Sequence, residues 1–272
     1  SPTEQQELLE MGERYNALEG FGAQWFTADR LQALDQRISS HALGGLFTHG
    51  NITVDSELYC AALIAAAAKS GCRDVRGNAL DLVAENGRVS HVVTAEEKIA
   101  CSAAVIANGY CADTLCSRLG FPLPVRPLKG ELLDVRLPGE PLGLDVTRGL
   151  AGLYQYRDDL FWLGGTRDEP GSHPETTEEG KQAMIAGLES MLPNQGEIEI
   201  VAHAAGYRPQ SADALPVAGF LPGYENVLVG TGGGSKGILL SAGIASALRD
   251  MIVSGNRAVI PHLSPERFDF NG

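Results

Sequence analysis

Val227-Leu228-Val229-Gly230-Thr231 reads as a buried strand, and it runs directly into Gly232-Gly233-Gly234-Ser235-Lys236-Gly237 and an apolar helical pattern from Ile238. A strand, a glycine turn and a helix in immediate succession make a layered α/β unit, which constrains the fold more than any other stretch. Glycines let backbone approach a ligand closely, and the first turn of the following helix favours negative charge. Those at 232, 234 and 237 satisfy the G-x-G-x-x-G spacing of a dinucleotide turn. Such a turn also needs a second strand and an acidic ribose-binding residue roughly 20 residues on. Here Gly255 stops the helix, and Ala258-Val259-Ile260-Pro261 holds no strand of ordinary strength. Nor is this a Walker A loop, because Lys236 follows Ser235 and precedes Gly237.

A formal charge of −13 on 272 residues opposes nucleic acid or an anionic membrane as partner, so an acidic ligand has to be met by a few local cations. The longest apolar run, Ala61 to Ala68, is far short of a spanning helix, so no membrane span is expected. The five cysteines lack C-x-x-C spacing and are expected to be small buried hydrophobes in a reducing, cytoplasmic setting. No metal-ligand spacing and no Ser/His/Asp arrangement is apparent, and His49 and His203 read as packing or surface residues.

Helices are expected at Glu4 to Leu18, Thr27 to Leu34, Asp55 to Lys69, Ala112 to Leu119, Thr176 to Leu192 and Ile238 to Val253. Strands are expected at Gly44 to Thr48, Arg73 to Arg76, Leu80 to Val83, Val89 to Thr94, Val125 to Leu137 and Ile198 to Ala204. Leu153 to Tyr156 and Leu160 to Gly165 read as a hairpin over Arg157-Asp158-Asp159. Ala103 to Ala107 is apolar throughout and suits a strand buried on both faces. The organisation is an α/β (α+β) fold in three stretches: residues 1–124, an antiparallel β-rich stretch at 125–205, and a return to the first layer at 206–272.

Five ordered segments resemble the amino-acid oxidase family of flavoproteins, which includes glycine, sarcosine and D-amino-acid oxidases. They are Gly50 to Ala68, Val105 to Tyr110, Val125 to Glu131, Gly206-Tyr207-Arg208-Pro209 and Gly230 to Leu240, with the tail Leu263 to Phe268 as a sixth likeness. The resemblance implies FAD as cofactor, a Rossmann-like FAD layer and an antiparallel substrate-binding domain. It also implies that the FAD pyrophosphate segment is not among these residues. Either a missing N-terminal segment or a second chain is then expected to complete that site.

What the resemblance implies for individual residues follows the matched segments. Arg208 takes the place of the arginine that grips a substrate carboxylate, and Tyr154 lies on the strand that offers a phenol to the same group. Val75 falls beside the adenine, and Ala107, Asn108 and Gly109 near the ribose and pyrophosphate. Gly206, Gly233, Gly234, Ser235, Lys236, Gly237 and Ile238 fall at the flavin, with the N–H groups of 234 to 238 facing the pyrimidine edge of its ring, where reduced flavin is negative. Glycine oxidases carry His and Arg where this chain has Gly233 and Ser235, which implies a more open roof and a substrate larger than glycine. Sarcosine oxidases carry an oxygen-activating lysine where this chain has Trp162, so transfer of electrons to a quinone or partner is an alternative to oxygen.

The implied reaction is oxidation of the C–N bond of an amino acid, an N-substituted amino acid or a related carboxylate by hydride transfer to flavin. Two alternatives stand beside it. A 2-hydroxy-acid dehydrogenase needs a general base that is not visible here, and a non-catalytic subunit or fragment would keep the fold without FAD.

Overall fold

A computed structural model describes residues 1–50, 52–157, 159–167 and 174–268. In chain order the elements are α1 (Pro2–Asn16), β1 (Gly22–Thr27), α2 (Ala28–Leu34), β2 (Gly44–His49), α3 (Ser56–Lys69), β3 (Asp81–Glu85), β4 (Arg88–Val93), β5 (Lys98–Ala100) and β6 (Ala104–Ile106). There follow α4 (Ala112–Arg118), β7 (Val125–Arg136), β8 (Val146–Arg148), β9 (Ala151–Gln155), β10 (Leu160–Gly164), α5 (Glu178–Met191), β11 (Glu199–Ser211), β12 (Val217–Phe220), β13 (Val227–Thr231) and α6 (Gly237–Ser254). They fall into two units, one of residues 1–55, 130–167 and 175–205, the other of residues 56–129, 168–174 and 206–272.

The first unit is built on a sheet in the order β11-β7-β10-β9-β8. Alternation along β7, β9 and β10 turns Leu133, Val135, Leu153, Phe161 and Leu163 to one side, where Met184, Leu188 and Met191 of α5 cover them. The β9–β10 hairpin forms with Trp162 opposite Tyr154, while Asp158 of its expected turn lies outside the described residues. A separate β1–β2 pair packs on α1, whose start carries a capping box between Ser1 and Glu4.

In the second unit β13 pairs antiparallel with β12 and parallel with β6, and β3-β4-β5 form an antiparallel meander. Asn86 (φ 49°) and Gly87 (φ 74°) supply the two left-handed residues of the β3–β4 turn. Asn226 ties the meander to the start of β13. Its amide donates to the carbonyls of Val89 (2.7 Å) and Ser102 (2.8 Å), and its carbonyl accepts from Val89 N–H. The core comprises Leu82, Val89, Ile106, Leu115, Cys116, Leu123, Val227 and Val229, and Leu248 and Met251 of α6 pack on Ala218 and Leu228.

Several expectations are corrected. Residues 73–76 form no strand, because no ladder partner lies beside them among the described residues. Central Val105 of β6 is 45 % exposed, so that strand is buried on one face, and among the described residues it is paired on one side. The segment from Thr27 reads in the sequence as a short capped helix, but Thr27 precedes α2 without a side-chain cap hydrogen bond. Of the cysteines only Cys116 is buried, and burial pushes its thiol up to about 12; Cys60, Cys72 and Cys111 are exposed. Strands β1, β5, β8 and β12 were not evident in the pattern. Segment Gly234–Ser254 is long and apolar enough to cross a membrane, weak evidence in a helix whose Leu248 and Met251 are core residues.

Candidate functional site

Parallel strands β6 and β13 end on the same side, and in α/β sheets the crevice beyond the carboxyl ends of such strands is the ligand position. Two backbone turns meet there. Ala107-Asn108-Gly109 leaves β6, with Gly109 at φ 64° and the Asn108 side-chain amide donating to Cys111 O at 3.1 Å. Gly232 to Gly237 leaves β13, with Gly232 and Gly234 at φ 75° and 52°. Thr231 links them by donating from Oγ1 to Gly109 O at 2.8 Å.

The strand carrying Arg208 reaches the same crevice. Gln210 forms an antiparallel bridge with Gly233, and Tyr207 meets Tyr110 edge-on with ring centroids 5.3 Å apart. Strand β11 runs unbroken through Pro209, which is tolerated because β11 is the edge of its sheet. Arg208 is half-buried there, and Gly206 and Arg208 share a face because they are two residues apart.

The glycine turn closes as a 3-10 turn at Gly234–Lys236 that passes into α6. Within it Lys236 N–H donates to Gly233 O and Gly237 N–H to Gly234 O. Of the five N–H groups that the resemblance directs at a ligand, those of Lys236 and Gly237 are therefore engaged inside the turn. Gly234, Ser235 and Ile238 lie with them at the positive end of an 18-residue helix. Ser235, Lys236 and Ile238 are exposed.

The structure thus gathers Ala107, Asn108, Gly109, Arg208 and residues 233–238 in one unit. Val75 belongs to the same unit but sits half-buried on the irregular stretch before β3, and none of the crevice hydrogen bonds reaches it. Tyr154 belongs to the other unit. Its ring folds over Gly152, where an added Cβ would stand 2.7 Å from the phenol oxygen. Burial, with the Asp145 carboxylate adding to it, pushes that phenol above its ordinary range, so it remains a proton donor. Neighbouring Tyr156 is otherwise engaged: its hydroxyl donates to Asp55 Oδ2 at 2.8 Å and its ring stacks on Trp162. Thr231 and Gln210 were missed in the sequence. Thr231 left one faint signal, a hydroxyl closing an otherwise apolar strand.

Comparison with known proteins gives the class. Residues 1–251 match the family described as FAD dependent oxidoreductase, and the chain belongs to that family. It is 27 % identical over 251 residues to the bifunctional protein ThiO/ThiG of Synechocystis sp., covering 90 % of this chain and 37 % of that protein. It is 29 % identical over 227 residues to the D-amino acid dehydrogenase of Rhizorhabdus wittichii, covering 82 % and 54 % respectively. The crystal structure of glycine oxidase from Geobacillus kaustophilus superposes with a TM-score of 0.87 at 26 % identity, over 97 % of this chain and 72 % of that one. The chain therefore spans about a third to a half of the length of these curated relatives.

The family uses FAD, and the residues here fit a flavin. An added Cβ at Gly109, Gly206 or Gly237 meets nothing within 4 Å, so open space borders the crevice on the sides of both turns and of β11. The two turns and the neighbouring strand carry backbone N–H groups and the guanidinium of Arg208, chemistry suited to a ring that gains negative charge and to a carboxylate.

Proposed function

We propose that the chain carries the flavin-ring and substrate-binding part of an FAD-dependent oxidoreductase that oxidises the C–N bond of an amino acid or N-substituted amino acid. The observation that carries this reading is the bridge between Gln210 and Gly233, which sets the strand of Arg208 against the glycine turn at the carboxyl ends of β6 and β13. Bound FAD supplies the acceptor for two electrons and a proton as hydride. The chain's own residues do the rest. Arg208 grips the substrate carboxylate through two parallel hydrogen bonds and so orients the Cα–H. The N–H groups of Gly234, Ser235 and Ile238, with the α6 dipole, favour negative charge beside the turn. Tyr154 enters the proposal through its chemistry, as a phenol held protonated for donation to the substrate. The absence of a side chain at Gly233 and the short one at Ser235 favour a substrate larger than glycine.

The pyrophosphate end of FAD is assigned to a glycine-rich strand and helix outside these residues, either on the same polypeptide or on a second chain. The side of β6 that has no strand partner among the described residues, the exposure of Val105 and the lack of any buried residue in α3 support that assignment.

The test begins with the absorption spectrum of the protein with FAD, alone and with the pyrophosphate-binding segment of a glycine oxidase supplied in trans. Flavin peaks that shift on binding are expected. Arg208→Ala should lower kcat/KM for amino acids by on the order of 10²-fold, with Arg208→Lys intermediate. Unchanged kinetics would remove Arg208 from the site, and turnover of a hydroxy acid in preference to its amino analogue would change the substrate class.

A further inference from the structure

The last residues of β11 lie beneath the glycine turn. An added Cβ at Gly232 would stand 3.2 Å from Ser211 Cβ, and one at Gly234 would stand 2.7 Å from Gln210 Oε1 and 3.3 Å from its Cδ. The carboxamide of Gln210 therefore occupies the room that a side chain at 234 would need, and its Nε2 donates to Ser211 O at 3.3 Å. The backbone bridge to Gly233 fixes the same residue to the turn from its main chain. Gln210 thus meets the turn twice, through a backbone bridge to Gly233 and through its carboxamide lying close against Gly234.

It is also attached to Arg208. Residues two apart on a strand project to the same face, separated by roughly 7 Å along it. Strand β11 is continuous over both positions. The distance from the backbone of Arg208 to the glycine turn is set by this one strand segment, and Gln210 is the point at which the segment holds the turn.

We propose that Gln210 is a positioning residue that holds the Gly233-Gly234-Ser235 backbone in register with Arg208. The proposal rests on the functional reading above for its purpose, but its geometry stands on the chain alone. With the carboxamide in place Gly234 keeps its left-handed conformation, and the N–H groups of Gly234 and Ser235 keep one direction. Without it a void opens under Gly234, and the turn relaxes into the space while Arg208 stays on its strand. Substrate gripping then survives, and alignment of the gripped substrate with the acceptor does not.

The experiment uses three proteins: the wild-type chain, Gln210→Ala and Gln210→Glu. Amide hydrogen exchange across residues 232–238 is read first and needs no cofactor. Gln210→Ala should speed exchange there by on the order of tenfold while leaving α5 and the β9–β10 hairpin unchanged. Gln210→Glu keeps the shape and should restore slow exchange, but it places a carboxylate beside the turn. With FAD bound, the Ala variant should lower kcat by on the order of 10- to 100-fold with KM for the amino acid little changed. The Glu variant should make the flavin harder to reduce, read as a more negative midpoint potential. A general loss of folding would instead speed exchange throughout and lower the melting temperature in parallel. Wild-type exchange across 232–238 in Gln210→Ala overturns the proposal. So does an equal rise in KM and fall in kcat/KM with kcat unchanged, since that pattern places Gln210 in substrate binding. If neither the wild type nor any variant binds flavin even with the pyrophosphate-binding segment supplied in trans, while the exchange difference persists, the functional reading fails and the positioning role stands.

Discussion

Arg267 gives its guanidinium to two carboxylate oxygens of Asp213, at 2.7 and 3.1 Å, and to the carbonyls of Leu215, Leu263 and Ser264. One side chain thereby fastens the tail to the turn after β11, directly beyond Gln210. The hydrogen bonds from Arg267, with further help from Leu215 N–H, the positive charge of Arg267 and the Ser211 hydroxyl, hold the Asp213 carboxyl at about 2, below its ordinary 3.8. A depressed carboxyl stabilises the fold fully above its unfolded value and loses that contribution as pH falls from about 3.8 through about 2. Urea midpoints of the wild type should drop across this window, and Asp213→Asn should flatten that drop while lowering the midpoint at neutral pH. At this scale the sequence was partly legible. Gly255, Asn86-Gly87 and Arg208 announce themselves by residue type and neighbours. Gln210, Thr231 and Asn226 do not, because their partners lie far away in the sequence or are backbone atoms with no signature.

Among the elements, α5 shows how a start signal can be legible and its anchor hidden. The helix is expected from Thr176, and its N-cap proves to be Thr177, whose hydroxyl accepts from Gly180 N–H at 3.0 Å. What fixes it is the fully buried side chain of Glu131 on β7. This carboxylate accepts from Thr177 N–H (3.1 Å) and Thr177 Oγ1 (2.9 Å) and pairs with His203 Nε2 of β11 at 2.7 Å. The backbone N–H of Glu131 donates to Thr166 Oγ1. Truncation removes the carboxylate's hydrogen bonds to Thr177 and His203 and leaves a void where its buried side chain stood, although Thr177 itself is exposed. Glu131→Ala should therefore cost about 2–3 kcal/mol, read as a lower urea midpoint, and Glu131→Gln should cost less. Short strands such as β5 and β8 escaped notice because three residues carry too little alternation to register. Long strands with buried faces and strongly apolar helices were legible from period and composition. The stretch at 73–76 had strand-like residues and no partner, and pairing decides a strand more than propensity does.

On the scale of the whole molecule, each unit draws on separated stretches of chain, so neither could be cut out as a continuous segment. The order of the sequence motifs nevertheless matched a family at once, since the glycine turn, the Gly-Tyr-Arg-Pro strand and the Asn108-Gly109 turn keep their succession through every crossing between units. What the sequence could not reveal was where apolar residues go uncovered. Helix α3 has no buried residue although Leu58, Leu63 and Ile64 interrupt its alanines, and Leu239 and Val253 of α6 are 75 % and 81 % exposed. Tyr59 OH and Ser241 Oγ meet at 2.9 Å, so these two helices are tethered while their greasy surface stays wet. In colloidal terms the chain alone is a poor particle: its charge of −13 repels like copies at long range, and bare hydrocarbon attracts them on contact. Raising the salt concentration removes the repulsion and leaves the attraction. Light scattering should therefore show clustering that grows with ionic strength, and Leu63→Glu together with Val253→Lys should suppress it.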